Sequence, residues 1–397
     1  MDFETSIDHN ELAGLARDIV VGRMADNPAQ CFDEKLWREL GKAGVLSAAL
    51  PESAGGSGLG LLEQCGVLIE LGRALAPAPY LASIVLGASA IAAFGTAAQR
   101  ERWAVPAASG DILLTVALPD PTPNPPGAPN PPEATNPPDA PYPPDSIAQS
   151  TLSSDVNHAI DPDGGGSGSG GRGGSGRGSA TFDIVAAAPW ADAILVPFGD
   201  AVYIVEAGDA GVTVEPQELT DGVTAGRVVL DGVELAADRR LGDGDVVAEW
   251  LMARATVGLC ALQLGITERA LELTAEYASE RVQFSRPIAT FQAVSQRLAD
   301  AWIDVEAIRL TMWQAAWMLA AGTSGETATD LAIYSAKFWA ADAGHRVAHT
   351  AVHVHGGVGI DISHPVHRYF AAAKTNEFTL GSATTQLRRI GAELAIS

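Results

Sequence analysis

The chain has 397 residues, 47% of them hydrophobic and 18% charged, which is enough to bury a large core and predicts two or three structural units. Its formal net charge of -23 argues against a nucleic-acid or anionic-membrane partner, because either needs a clustered basic footprint, although a few local cations can still hold an anionic ligand. Cys31, Cys65 and Cys260 are far apart, odd in number and form no CxxC pair, which argues against a disulfide framework, a thiolate zinc site and a thiol redox motif.

The opening segment, MDFETSIDHNEL, is acidic and lacks a basic stretch followed by an apolar one. Later apolar runs are broken by Gly, Asp or Pro before bilayer length, so a cytoplasmic protein is expected. Up to about Gly110 the pattern is helical. DEKLWRELGKAGVLSAAL places Leu36, Leu40, Val45 and Leu46 at helical spacing, and LLEQCGVLIELGRALA repeats the pattern with a charged outer face. PESAGGSGLG between them is a breaker; it lacks the Lys and Ser/Thr ending of a phosphate-binding loop and follows no strand.

From DILLTVALPD the pattern turns to short Val- and Ile-rich strands punctuated by Gly, Asp and Pro, which predicts an antiparallel β unit over residues 111–243. Inside it, residues 121–180 hold PTPNPPGAPNPPEATNPPDAPYPPD and DPDGGGSGSGGRGGSGRGSA. The first is extended by its proline content and the second flexible by its Gly and Ser, so the whole tract is predicted to be a disordered insertion. Arg172 and Arg177 make the glycine tract either a ligand for something acidic or a solvated linker.

Residues 244–397 are helical again. ARATVGLCALQLGITERALELTAEYASERVQF starts apolar on nearly all sides and ends amphipathic, and SRPI breaks it. The next helix sets Val294, Leu298, Trp302, Val305, Ile308 and Leu310 on a wide apolar face, with Trp302, Trp313 and Trp317 as core or interface aromatics. A third helix, from about Thr329, stops at Gly356-Gly357, and a last one runs through TTQLRRIGAELA. The fold class is therefore α+β: an N-terminal helical domain (1–110), a middle antiparallel β domain and a C-terminal four-helix bundle.

The stretch HRVAHTAVHVHGGVGIDISHPVHRYF holds six of the eight histidines. His345, His349 and His353 lie at i, i+4 and i+8 along one helical face, which raises a metal-binding reading. Against it, HRVAH has Arg346 where a metalloprotease carries its glutamate, and a straight helix spreads the three over about 12 Å at about 1.5 Å per residue. The alternative places them on the helix surface or at a subunit interface.

ERVQFSRPIATFQAV, HVHGGVGI followed by HRYF, and TTQLRRIGAELA together resemble the acyl-CoA dehydrogenase family of flavoproteins, and LWRELGKAGVLSAALPESAGGSGLG with ELGRALAPAPY resembles its N-terminal domain. The resemblance covers nearly the whole chain apart from the insertion. It implies FAD as cofactor and α,β-dehydrogenation of an acyl-CoA, with a glutamate taking the α proton while hydride leaves the β carbon. It also implies that Arg281 reaches the pyrophosphate and Phe284 the adenosine half of an FAD bound mainly by a neighbouring subunit. Gly356, Gly357 and Gly359 would let backbone approach the nucleotide, and Gln292, His353, Thr384 and Gln386 match polar contact positions. Read alone, Arg281 is equally a surface ion-pair residue.

The chain departs from the family where the base belongs. One family position falls on Leu380 or Ser382, depending on the anchor used for counting, and the other on Ala255; none of these can accept a proton. Glu377 is the nearest acid and would need a shift of register. FAAAK has Ala where the family carries an arginine and an aspartate, and the Thr-Glu-Pro loop of the β domain gives way to the proline tract. The pattern resembles subunits of heteromeric acyl-CoA dehydrogenases that lack the usual glutamate. It implies a related subunit as partner, an acyl-CoA substrate such as a fatty or steroid side-chain thioester, and an electron-transfer acceptor; the alternative is a self-sufficient homotetramer using Glu377.

Overall fold

Two glycines set how the central helices meet. In the computed structural model, which describes residues 7–26, 32–118, 176–199, 201–323 and 325–396, α3 (Leu61–Ala74) lies against α7 (Gly244–Glu280). A Cβ at Gly265 would stand 2.0 Å from the Ile69 carbonyl oxygen, and one at Gly72 would stand 2.3 Å from that of Leu262. Only glycine allows backbones this close. Arg73 then ties α3 to α7 through Glu268 at 2.8 Å and Glu272 at 2.7 Å, and its carbonyl accepts the Tyr369 hydroxyl at 2.6 Å.

Around this pair the N-terminal part adds α1 (Ile7–Asp26), α2 (Glu34–Lys42), a π-helical stretch Leu81–Ala88 that runs into α4 (Ser89–Phe94), then α5 (Ala97–Gln99) and α6 (Val105–Ser109). α2 starts where Asp33 accepts hydrogen bonds from the backbone N–H groups of Lys35 and Leu36, a side-chain cap for a helix start. The expected breaker over residues 51–60 forms a turn with a short 3₁₀ segment, Glu52–Ala54.

The β unit holds β1 (Leu114–Val116), β2 (Gly176–Ala186), β3 (Ala193–Phe198), β4 (Ala201–Glu206), β5 (Val212–Glu218), β6 (Thr224–Leu235) and β7 (Arg240–Leu241). One sheet runs β1-β3-β4-β7 and the other β2-β6-β5. Against the antiparallel expectation, β1 pairs with β3 in parallel, Leu114 beside Ala193. The remaining pairings of these strands are antiparallel.

A second correction concerns the insertion. Residues 176–180, read as the end of a flexible tract, open β2 and pair with β6. The glycine there fits a packing need: a Cβ at Gly178 would meet Leu235 at 2.8 Å and Phe198 at 3.0 Å. Residues 119–175, including the proline tract and Arg172, and Cys31 lie outside the described residues.

The C-terminal part consists of α7, a two-residue hairpin of β8 (Val282–Gln283) and β9 (Arg286–Pro287), α8 (Gln292–Ala320), α9 (Thr327–His355), α10 (Val366–Phe378) and α11 (Ala383–Ile396). α7 to α10 pack as the bundle, and α11 lies against α9. α7 contains an apolar window of bilayer length, contrary to the sequence expectation, but 72% of it is buried in the protein. One core joins the three parts, from Leu68 and Ile84 through Leu114 and Ile204 to Leu264 and Met312.

α8 departs from expectation more sharply. Val305 and Ile308 are buried, but Trp302 is 60% and Leu310 53% exposed, and they continue with Ile303 and Trp317 along an uncovered side. The helix uses Ala301, Val305, Ile308, Met312 and Leu319 inward, so its apolar face is wider than its neighbours in one chain can cover.

Candidate functional site

The break after α7 is a hairpin that displays an aromatic ring. Arg281 is not in the last helical turn but one step past it, in extended conformation, with its N–H donating to the Tyr277 carbonyl at 2.9 Å. The two turn residues are Phe284 and Ser285, with φ of 51° and 66°. A two-residue hairpin of this kind needs positive φ at both places and is normally made by Asn-Gly. Phe and Ser in that region cost about 1–2 kcal/mol each, so the turn is held in a conformation its residues disfavour. The result is a Phe284 ring 89% exposed, touching Phe291 edge-on at 6.1 Å, while the Arg286 guanidinium covers Phe291 at 4.1 Å. Arg281 and Gln292 are exposed beside it, and Arg281 has no ion pair among the described residues.

The hairpin neighbours the glycine turn at the end of α9. Tyr277, one turn before Arg281, stacks on buried His355 at 4.3 Å, and His364 completes the cluster 4.9 Å from His355. His355 donates from Nδ1 to the Ala351 carbonyl at 2.8 Å, while Nε2 is buried with no partner. Burial lowers its pKa, with His364 adding to the effect and the bond to Ala351 opposing it. Gly356 has φ 61° and ψ -135°, a conformation nearly confined to glycine. Gly356 and Gly357 are exposed, and a Cβ on either would meet nothing within 4 Å. Gly359 has a packing reason of its own, since a Cβ there would stand 2.8 Å from the Val352 carbonyl. His353 is exposed on the last turn of α9.

The remaining candidates form a second group at the α10–α11 loop. Leu380 has φ 59° and Gly381 φ 96°, and buried Gln386 turns its amide inward to donate to their carbonyls at 3.0 and 3.4 Å. Gln386 is therefore engaged within its own chain, while Thr384 is exposed. Ser382 stands at the α11 start with its hydroxyl 3.4 Å from that of Thr385. Leu380 packs partly against the core, and Ala255 is buried in α7 at 2% exposure. Below the loop, Lys337 of α9 donates to the carbonyls of Asn376 and Glu377. Lys337 and His355 are 18 residues apart on one helix, or about 27 Å at about 1.5 Å per residue. One chain thus separates the candidates into two groups.

Glu377 is already occupied. Its carboxylate accepts from Lys374 Nζ at 2.6 Å and lies 3.0 Å from His345 Nδ1. Burial raises its pKa, but the hydrogen bonds and charges of His345 and Lys374 together outweigh burial and hold the carboxyl below its ordinary range. His345 in turn stacks with His349 at 4.2 Å, and His349 meets Phe370 edge-on. The metal reading fails on this geometry. The Lys374 ammonium stands 2.9 Å from His345 Nδ1, where it repels a cation, and no three His, Cys, Asp or Glu among the described residues could hold one ion.

A helical domain, a β unit and a helical bundle in this order are the architecture of acyl-CoA dehydrogenases. Residues 6–111 match the N-terminal domain of acyl-CoA dehydrogenases and residues 242–395 the C-terminal domain. The chain belongs to this family of flavoproteins, oxidoreductases acting on CH–CH bonds. It is 45% identical to acyl-CoA dehydrogenase FadE27 of Mycobacterium tuberculosis over 100% of this chain and 99% of that one. A crystal structure of the ChsE4-ChsE5 complex from Mycobacterium tuberculosis matches with TM-score 0.82 and 45% identity over the whole of both chains. A variant of the Tcur3481-Tcur3483 steroid ACAD matches with TM-score 0.77 and 35% identity over 98% of each chain.

The sequence signal for the hairpin lay in the SRPI break, and that for the glycine turn in GGVG. Nothing local pointed to Lys337, whose partners are brought in by α10.

Proposed function

We propose that this chain is one subunit of a heteromeric, FAD-dependent acyl-CoA dehydrogenase whose related partner supplies the base. The observation that carries the reading is the lack of a carboxylate where the family's base is counted to fall: Leu380, in a left-handed loop, or Ser382 at the α11 start, and buried Ala255 in α7. Two of the similar structures bear paired names, a ChsE4-ChsE5 complex and a Tcur3481-Tcur3483 steroid enzyme. Steroid side-chain thioesters are accordingly the substrate class proposed here. The uncovered side of α8, from Trp302 to Trp317, fits a chain with a partner.

The exposed groups fit FAD. Arg281 offers a planar fork to the pyrophosphate, Phe284 an aromatic surface to the adenosine half, and Gly356 and Gly357 leave open space for close backbone approach. FAD, when bound, would take the hydride from the β carbon. This chain's own residues bind and orient the nucleotide, and the α proton leaves to a partner carboxylate. An electron-transfer acceptor then reoxidises the enzyme.

The test is expression alone and together with a related subunit that retains the glutamate. Alone, the chain is expected to be colourless and inactive; together, the two should hold flavin and oxidise acyl-CoA. Yellow colour with turnover from the chain alone would overturn the partner requirement. Glu377→Gln in the assembled enzyme is expected to leave turnover within about twofold, since an ion-paired carboxylate is a poor base. Loss of turnover with flavin retained would instead assign the base to Glu377.

A further inference from the structure

Arg254 of α7 is half-buried and meets no carboxylate among the described residues, whereas the comparably placed Arg73 meets Glu268 and Glu272. Arg254 lies flat on Trp250, one turn back, with its Cζ 3.7 Å from the ring centroid, and Trp250 meets Phe94 edge-on at 5.5 Å. Its Nη1 is sealed from solvent with no hydrogen-bond acceptor, and it has no ion pair among the described residues. The residue as a whole is only half-buried, so the guanidinium is not closed off on every side.

The polar groups nearby supply no negative charge. Tyr80 is fully buried, and its hydroxyl also lacks a partner. Cys65, buried in α3, lies within Coulomb range of both Tyr80 and Arg254. Burial pushes its thiol well up, so it stays neutral and cannot balance the guanidinium. The field of Glu63 reaches Cys65 and Tyr80 but is not among the charges acting on Arg254. Burial draws Arg254 down to about 10, which still leaves it charged at neutral pH. A charge withdrawn from water without a counter-ion is unfavourable unless one arrives from outside.

We propose that Arg254, backed by Trp250, is an anion-binding site that takes a carboxylate on its guanidinium fork. A planar carboxylate matches the planar fork, and the stacked indole fixes the fork's orientation. The carboxylate can come from a small molecule or from an acidic side chain of another subunit.

The full-length chain is unfolded thermally in sodium propionate and in sodium chloride at equal ionic strength. If the source is a small molecule, propionate should raise the Tm saturably in the wild type. Arg254→Met should abolish the rise, and Arg254→Lys, which keeps the charge but loses the fork, should weaken binding at least tenfold. If the source is another subunit, propionate should do nothing to the chain alone, while Arg254→Met should weaken assembly with the related subunit at least tenfold. Neither effect appearing overturns the proposal. Should Arg254→Met not fold, Arg254→Lys decides. The propionate measurements need no partner, so they stand apart from the heteromer reading.

Discussion

Arg281→Leu is expected to weaken flavin binding by the assembled enzyme about tenfold to a hundredfold while leaving the fold of this chain intact. The size follows from the loss of a charge-assisted pair of hydrogen bonds, about 1.5–3 kcal/mol. The fold should be untouched because Arg281 is exposed and has no ion pair among the described residues. Phe284→Ala should weaken binding less, by about 0.5–1.5 kcal/mol for a lost ring contact, and the chain should not be destabilised, since alanine tolerates the turn no worse. Flavin absorbance relative to protein, read across a dilution series, measures both. If the assembled variant keeps its flavin as well as the wild type does at the highest dilution, Arg281 is not on the nucleotide. The strain at Phe284 is then unexplained, for its φ of 51° gains the chain no contact beyond the edge of Phe291.

How much of this was legible beforehand depends on whether a feature is local or tertiary. The long helices of the bundle and the strands β3 to β6 follow from apolar patterning, and the Arg-x-x-Phe and GGVG elements from short strings. The positive φ values at Phe284 and Ser285 are invisible in FSRP, because neither residue signals a primed turn. Counting left Leu380 and Ser382 as rivals; the loop places Leu380 in a left-handed conformation, packed partly against the core, and Ser382 at the helix start. The start of β2 was missed because Gly and Ser composition signals flexibility, whereas β6 offers a full backbone edge to pair with. Trp302 and Leu310 illustrate the converse: periodicity says that a face is apolar, not that something covers it. The ion pairing of Glu377 was invisible in the sequence because His345 lies 32 residues away in the chain.

Lys337 carries the second prediction. It is 1% exposed, and its hydrogen-bond partners among the described residues are two carbonyl oxygens, those of Asn376 at 3.0 Å and Glu377 at 3.2 Å, in the last turn of α10. Carbonyls at a helix C-terminus favour a cation, but burial dominates and pushes the amine from 10.5 down to about 8, with Cys260 and Glu377 opposing. Between about pH 8 and pH 10.5 the unfolded chain therefore binds the proton more tightly than the folded one, and stability rises with pH through that window. The gain is about 1.4 kcal/mol per pH unit, or about 2 kcal/mol from pH 8 to 9.5. Lys337→Met lacks this proton, so urea unfolding of wild type and variant should show the difference moving toward the wild type by that amount as pH rises. Groups common to both proteins cancel in the comparison. A difference that stays flat across the window would show that Lys337 is protonated throughout and that the two carbonyls fully offset its burial. The neutral amine can still donate to both oxygens, so the α10 turn that leads into the Leu380 loop should stay clamped at alkaline pH.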